Sequence, residues 1–195
     1  ISQQLNSIVM ALAGARRIFQ LEDEPVEEDN GVVTISKDDD VESAWNWNVP
    51  QADGTTKKVP VRGHIVFDHV NFSYVPEKQI LHDINIDAKP GIKVALVGET
   101  GAGKTTISNM LNRFYEIDSG KITYDGIPIK KIKKDDLRQS LSVVLQETHM
   151  FTGTIMDNIR FGNPDASDDE VYQAGRLSHA DEFIHELDDG YETVI

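Results

Sequence analysis

The chain has 195 residues, 39% of them hydrophobic, which suits one large domain or one domain with appendages. Its formal charge of -14, with no long basic stretch, argues against nucleic acid as a partner. The absence of cysteine excludes disulfides and thiolate metal sites, and the six histidines show no ligand spacing.

The first predicted element is an amphipathic helix. Leu5, Ile8, Val9, Leu12, Ala15 and Phe19 recur at helical spacing, with Arg16 and Arg17 near its end. The charge-free opening, Ile1 to Ala15, is too short and too polar to span about 30 Å of hydrocarbon. The helix has no cap at its start, which raises the expectation that further chain precedes it. No signal peptide is visible. An acidic stretch follows: from Gln20 to Ala44 there are ten Asp or Glu and a single Lys, Lys37. Within Glu22 to Arg62, Val32–Ile35 and Trp45–Trp47 have strand character and Ala52–Thr55 is a turn signal. A solvated linker is the favoured expectation over an ordered insert, although the tryptophans oppose complete disorder.

From Gly63 the texture changes. Strands are predicted at His64–Val70, Asn71–Val75, Ile84–Ala88, Val94–Val97, Lys121–Tyr124 and Leu141–Leu145. Helices are predicted at Lys104–Tyr115, Lys133–Gln139, Thr154–Ile159 and Asp168–Leu177, the last with Ser167 and Glu170 at capping-box spacing. His64, His69 and His82 read as strand and turn residues. Between the apolar run Val94–Val97 and the stripe Ile107, Met110, Leu111 and Phe114 lies Gly98-Glu99-Thr100-Gly101-Ala102-Gly103-Lys104-Thr105, which fits the phosphate-binding pattern G-x-x-x-x-G-K-[ST]. Glycines let the backbone wrap phosphate oxygens, and the helix start adds a positive dipole end. Lys104 brings a point charge to the terminal phosphates, and the Thr105 hydroxyl is placed for Mg2+. A plain glycine-rich turn before a helix would leave Lys104 and Thr105 unexplained. The order of elements predicts a mixed α/β domain with the phosphate loop at a strand's carboxyl end.

Further motifs surround the loop. Val66–Tyr74, Ile80–Ile84 and Lys89-Pro90-Gly91 precede it; Asp118–Ile122, Tyr124-Asp125-Gly126, Val143–Thr148 and Phe151–Ile159 follow it. Together they resemble the first part of the nucleotide-binding domain of ABC transporters of the bacterial multidrug-exporter type, over about Gly63 to Ile195. The opening helix, residues 1–22, is similar to the cytoplasmic end of the last transmembrane helix in exporters with fused membrane and ATPase domains. On that resemblance, 23–62 is an acidic linker or insert longer than the usual link. The resemblance implies that residues 63–195 are a partial nucleotide-binding domain, a P-loop NTPase fold with an antiparallel β part before a RecA-like core, whose helical subdomain begins near 167 and is truncated.

The resemblance implies ATP and Mg2+ as cofactors and assigns roles by position. Tyr74, 24 positions before Gly98, corresponds to the aromatic that stacks on adenine. Gly98, Glu99, Thr100, Gly101, Ala102, Gly103, Lys104, Thr105 and Thr106 form the phosphate cradle, with Thr105 on Mg2+. Gln146 is similar to the Q-loop glutamine that reaches Mg2+ and the attacking water, so Lys104 and Gln146 are the catalytic candidates. The implied partners are a second nucleotide-binding domain and the coupling helices of a transmembrane domain, faced by Phe151–Ile159, on the cytoplasmic side of a bacterial membrane. The family's Ser-Gly-Gly-Gln signature, its apolar strand ending in Asp-Glu and its switch histidine do not occur in these residues. Three alternatives stay open: a non-catalytic half of a heterodimeric exporter, a soluble non-transport ABC ATPase, and a P-loop kinase or GTPase. The transported substrate is not encoded here.

Overall fold

The structure is a computed structural model. It describes all residues except 1, 39, 40, 42, 43 and 146–148, and for residues 2–6 and 8 it describes the backbone only. The chain divides into two compact units, 1–142 and 143–195.

The first unit opens with α1 (Ser2–Glu22). Val9, Leu12 and Phe19 of its predicted apolar stripe are exposed, as are Met10, Ile18 and Leu21. Among the described residues no helix is long and apolar enough to cross a membrane. Beyond α1 the chain pairs with a later segment. The Val32 and Val33 amides both donate to the Lys131 carbonyl (2.8 and 2.9 Å), and the Lys133 amide donates back to Val33 (2.9 Å). Gly31 permits this crossing, because a Cβ there would sit 2.5 Å from the Ile132 backbone.

A three-stranded antiparallel sheet follows, β1 (Thr34–Lys37), β2 (Trp45–Pro50) and β3 (Thr56–Pro60), in that order. The β2–β3 turn is closed by Asp53, whose carboxylate accepts from the Thr55 amide (2.9 Å) and hydroxyl (2.6 Å). Trp47 is 0% exposed and belongs to the main core. The solvated-linker expectation therefore fails for Thr34–Pro60. β2 buries an indole large enough to offset the ordering of a charged segment.

Acidic residues upstream of this sheet are paired as well. The Glu27 carboxylate accepts from Arg138 Nη1 (2.9 Å) and Nη2 (2.7 Å) and from Lys134 Nζ (2.9 Å). Asp29 Oδ2 accepts from the Lys134 amide (2.8 Å), and Asp136 Oδ1 accepts from the Ile35 amide (2.9 Å). Hydrogen bonds from Arg138 first, and then Lys134, hold the Glu27 pKa down at about 2 against an ordinary 4.5. A depressed carboxylate contributes stability above its unfolded pKa and loses it as pH falls through the folded value. We therefore expect the urea midpoint of the native chain to fall toward that of Glu27→Gln between pH 4.5 and 2. A constant gap across this range would show that the clamp does not form.

The second sheet has strand order β5-β4-β6-β7, all antiparallel: β4 (Ile65–Val75), β5 (Lys78–Ala88), β6 (Ser119–Tyr124) and β7 (Ile127–Pro128). The two strands predicted at 64–70 and 71–75 are one, β4, irregular near His69, where φ is 50° and the pairing register shifts. Against these sheets pack α2 (Lys104–Leu111) and α3 (Lys134–Gln139). The core joins Trp47, Phe67, Val70, Phe72, Leu81, Met110, Ile122, Tyr124, Ile132 and Leu137. Asp125, at the β6–β7 turn, binds the insert sheet to the rest. It accepts from Trp47 Nε1 (3.0 Å), the Arg62 amide (3.0 Å) and the His64 amide (2.9 Å).

Two expected strands do not form. Neither Val94–Val97 nor Leu141–Leu145 is paired, and Val97 and Val144 are 93% and 91% exposed. Apolar runs of this kind become strands when parallel neighbours supply hydrogen bonds and cover both faces. No such neighbour exists among the described residues. The predicted helix to Tyr115 also stops earlier, at Leu111, so Phe114 leaves the apolar stripe and is exposed.

The second unit holds α4 (Ile155–Arg160), α5 (Asp168–Leu177) and α6 (Asp181–His185) around Met156, Val171, Ile184 and Tyr191. The predicted capping box of Ser167 and Glu170 forms, and Thr154 with Asp157 makes a second one. Tyr191 packs against Gly175 and donates to Asp181 Oδ1 (2.8 Å). Burial and that hydrogen bond push its pKa up to about 12. The unit runs from 143 to 195, and α4 shares its apolar cluster with α5.

Candidate functional site

The phosphate-loop pattern folds as a turn leading directly into α2, as predicted. Gly101 and Gly103 both have φ near +86°, a left-handed conformation that costs glycine little. Gly103 also lies close against β5. A Cβ there would lie 2.9 Å from Leu81 Cδ2. The first helical donor is the Ile107 amide, to the Gly103 carbonyl (3.1 Å). The amides of Lys104, Thr105 and Thr106 thus lie in the first turn, where helices leave N–H groups free of intrahelical partners.

The side chains divide by exposure. Gly98, Glu99, Thr100, Gly101, Ala102 and Thr105 are exposed, Lys104 is half-buried, and Thr106 is buried. Lys104 folds back across the loop, with Nζ donating to the Gly98 (2.8 Å) and Glu99 (2.7 Å) carbonyls. Its ammonium group therefore lies over the ring of the loop, with one further donor available.

Tyr74, at the end of β4, is brought to the same helix. Its hydroxyl donates to Thr106 Oγ1 (3.2 Å) and accepts from Asn109 Nδ2 (3.3 Å). Its ring meets Phe72 and Tyr115 edge-to-face, at 4.8 and 4.9 Å between centroids, yet remains 43% exposed. Asn109 and Tyr115 belong to no sequence motif. The available signal was the three-residue spacing of Thr106 and Asn109, which puts both on one helix face.

Gln146 lies outside the described residues. In the second unit Asn158 ties Phe151 to α4, accepting from its amide and donating to its carbonyl, both at 2.8 Å. Phe151 and Phe161 stack at 4.5 Å, and both are exposed.

This arrangement fits a nucleoside triphosphate: left-handed glycines, a helix start, an ammonium group and an aromatic platform converge on one helix. It fits Mg2+ jointly with that ligand. Among the described residues no three His, Asp or Glu side chains group to hold a metal. Mg2+ commonly takes few protein oxygens and completes its shell with water and phosphate. The exposed Thr105 hydroxyl supplies an oxygen of that kind.

The family model described as ABC transporter matches residues 81–192, and the chain belongs to that family. Its mixed α/β fold is that of the family's nucleotide-binding domain. Among curated relatives, the uncharacterized ABC transporter ATP-binding protein YknV of Bacillus subtilis is 40% identical over all of this chain and 29% of its own length. The ATP-dependent lipid A-core flippase of Legionella pneumophila is 40% identical over 96% of this chain and 28% of its own length. The structure of a bacterial Atm1-family ABC exporter with ATP bound superposes with a TM-score of 0.68 at 31% identity, over 98% of this chain and 30% of that one. The chain thus spans less than a third of the length of these relatives.

Proposed function

We propose that this chain is the ATP-binding portion of an ABC exporter that couples ATP binding and hydrolysis to movement of a substrate across a bacterial membrane. The observation that carries the reading is the joint docking of Tyr74 and the phosphate loop on α2. A base platform and a phosphate cradle on one helix suit a nucleotide bound along its first turns. Residues 1–22 would lead from a membrane domain, 23–62 form the insert, and 63–195 carry the nucleotide-binding region on the cytoplasmic side. The lipid A-core flippase and the Atm1-family exporter support export as the use of the site.

In this reading the amides of Gly101 to Thr106 bind the phosphates. Lys104 exchanges its two carbonyl acceptors for β- and γ-phosphate oxygens, and Tyr74 stacks on adenine. Thr105 and Gln146 hold Mg2+, which when bound neutralises charge on the terminal phosphates. Gln146 orients the attacking water. A second nucleotide-binding domain caps the γ-phosphate from across the site, and the segment Phe151–Ile159 meets the coupling helices of the membrane domain. Closure of the two nucleotide-binding domains on ATP then shifts the transport domain between its conformations.

Because capping and the general base come from outside these residues, the 195-residue chain alone is expected to bind Mg·ATP weakly. Its turnover should fall at least about 100-fold below that of the full-length protein, the usual worth of a general base. Comparable phosphate release by the two preparations would overturn the reading.

A further inference from the structure

The hydroxyl and ring of Tyr74 are held by residues on different elements, and no established role accounts for them. Thr106 and Asn109 take the hydroxyl from α2, while Phe72 on β4 and Tyr115 beyond α2 take the ring. Phe72 is buried in the core, and Tyr115 also meets it at 5.8 Å. The three aromatic rings therefore form one cluster rooted in the core at Phe72. We propose that Asn109 and Tyr115 are positioning residues that fix the Tyr74 platform to the helix beginning in the phosphate loop, and so set the span between base and triphosphate. The proposal rests on the reading of this site as an ATP site.

The chemistry supports the geometry. Tyr74 gives its proton to Thr106 and receives one from Asn109, so its hydroxyl is satisfied on both sides and the ring cannot swing without breaking both bonds. Thr106 accepts at oxygen, which leaves its own hydroxyl proton for a neighbouring acceptor such as a phosphate oxygen. Preorganising a platform removes the ordering cost otherwise met on binding. Loss of an anchor should thus weaken the nucleotide only through its base.

Calorimetry on the full-length protein tests this by comparing ATP with tripolyphosphate, which has the phosphates and no base. Tyr74→Phe, Asn109→Ala and Tyr115→Leu are each expected to raise the Kd for ATP about 3- to 10-fold, the worth of a net hydrogen bond or ring contact. The Kd for tripolyphosphate should stay unchanged, and Tyr115→Phe, which keeps the ring, should restore tight ATP binding. Tyr74→Phe keeps the stacking ring and the packing, so it decides the matter if Asn109→Ala fails to fold. An unchanged ATP Kd in Tyr74→Phe and Tyr115→Leu, or equal weakening of tripolyphosphate, overturns the proposal. Failure of the underlying reading looks different: native protein would bind neither ligand, or Lys104→Ala would bind both as tightly as native.

Discussion

Replacing Lys104 with alanine is expected to weaken ATP binding about 10- to 100-fold, because charge-assisted hydrogen bonds contribute roughly 1.5–3 kcal/mol. The substitution touches the loop in two ways. In the structure Nζ donates to the Gly98 and Glu99 carbonyls, so the ammonium group also braces the turn. Thermal stability measured without nucleotide separates these contributions, and Lys104→Met, which keeps the aliphatic stem, controls for the lost packing of the alanine variant. If bracing dominates, alanine and methionine variants lose thermal stability together in the absence of nucleotide. If charge dominates, stability holds and only ligand affinity falls. Calorimetry showing native affinity in both variants would mean that the loop does not grip the triphosphate.

Trp47→Ala is expected to cost about 3–5 kcal/mol of folding stability, the range for emptying a buried aromatic site. That is a large share of the roughly 5–15 kcal/mol that holds a typical domain together. Trp47 is fully buried, meets Tyr124 edge-on at 5.2 Å and donates its indole N–H to Asp125 at 3.0 Å. Its loss would open a cavity and remove one of the three donors that Asp125 gathers. Trp47→Phe keeps a ring but not the donor, and should cost less. Urea unfolding followed by circular dichroism measures both. A loss under about 1 kcal/mol for the alanine variant would place the insert sheet outside the cooperative core.

These two residues mark the limits of what the sequence made legible. Lys104 was readable because its neighbours are local: glycines, a following helix and a threonine, all within one short pattern. The capping box at Ser167 was legible for the same reason. Trp47 was harder, because what makes the insert fold lies far along the chain. Glu27 finds Lys134 and Arg138 more than 100 positions later, and Trp47 finds Asp125 78 positions on. Local pattern showed strand character at Val32–Ile35 and Trp45–Trp47, but no partners for the acidic residues around them. Val94–Val97 and Leu141–Leu145 failed in the opposite sense. Their apolar character is local, but a strand exists only with a neighbour, and sequence pattern cannot supply one. The anchors of Tyr74 were hidden because helical spacing shows which face Asn109 occupies, not which strand ends above it.

The unpaired ribbon around Val94–Val97 has a practical consequence. Its apolar side chains, with β-branched Val94 and Val97 among them, are exposed and the run is unpaired, the combination on which edge-to-edge aggregation feeds. In concentrated solution, this 195-residue polypeptide is expected to self-associate through that stretch, which light scattering would detect. A lysine in place of Val97, by its charge, should keep such preparations clear.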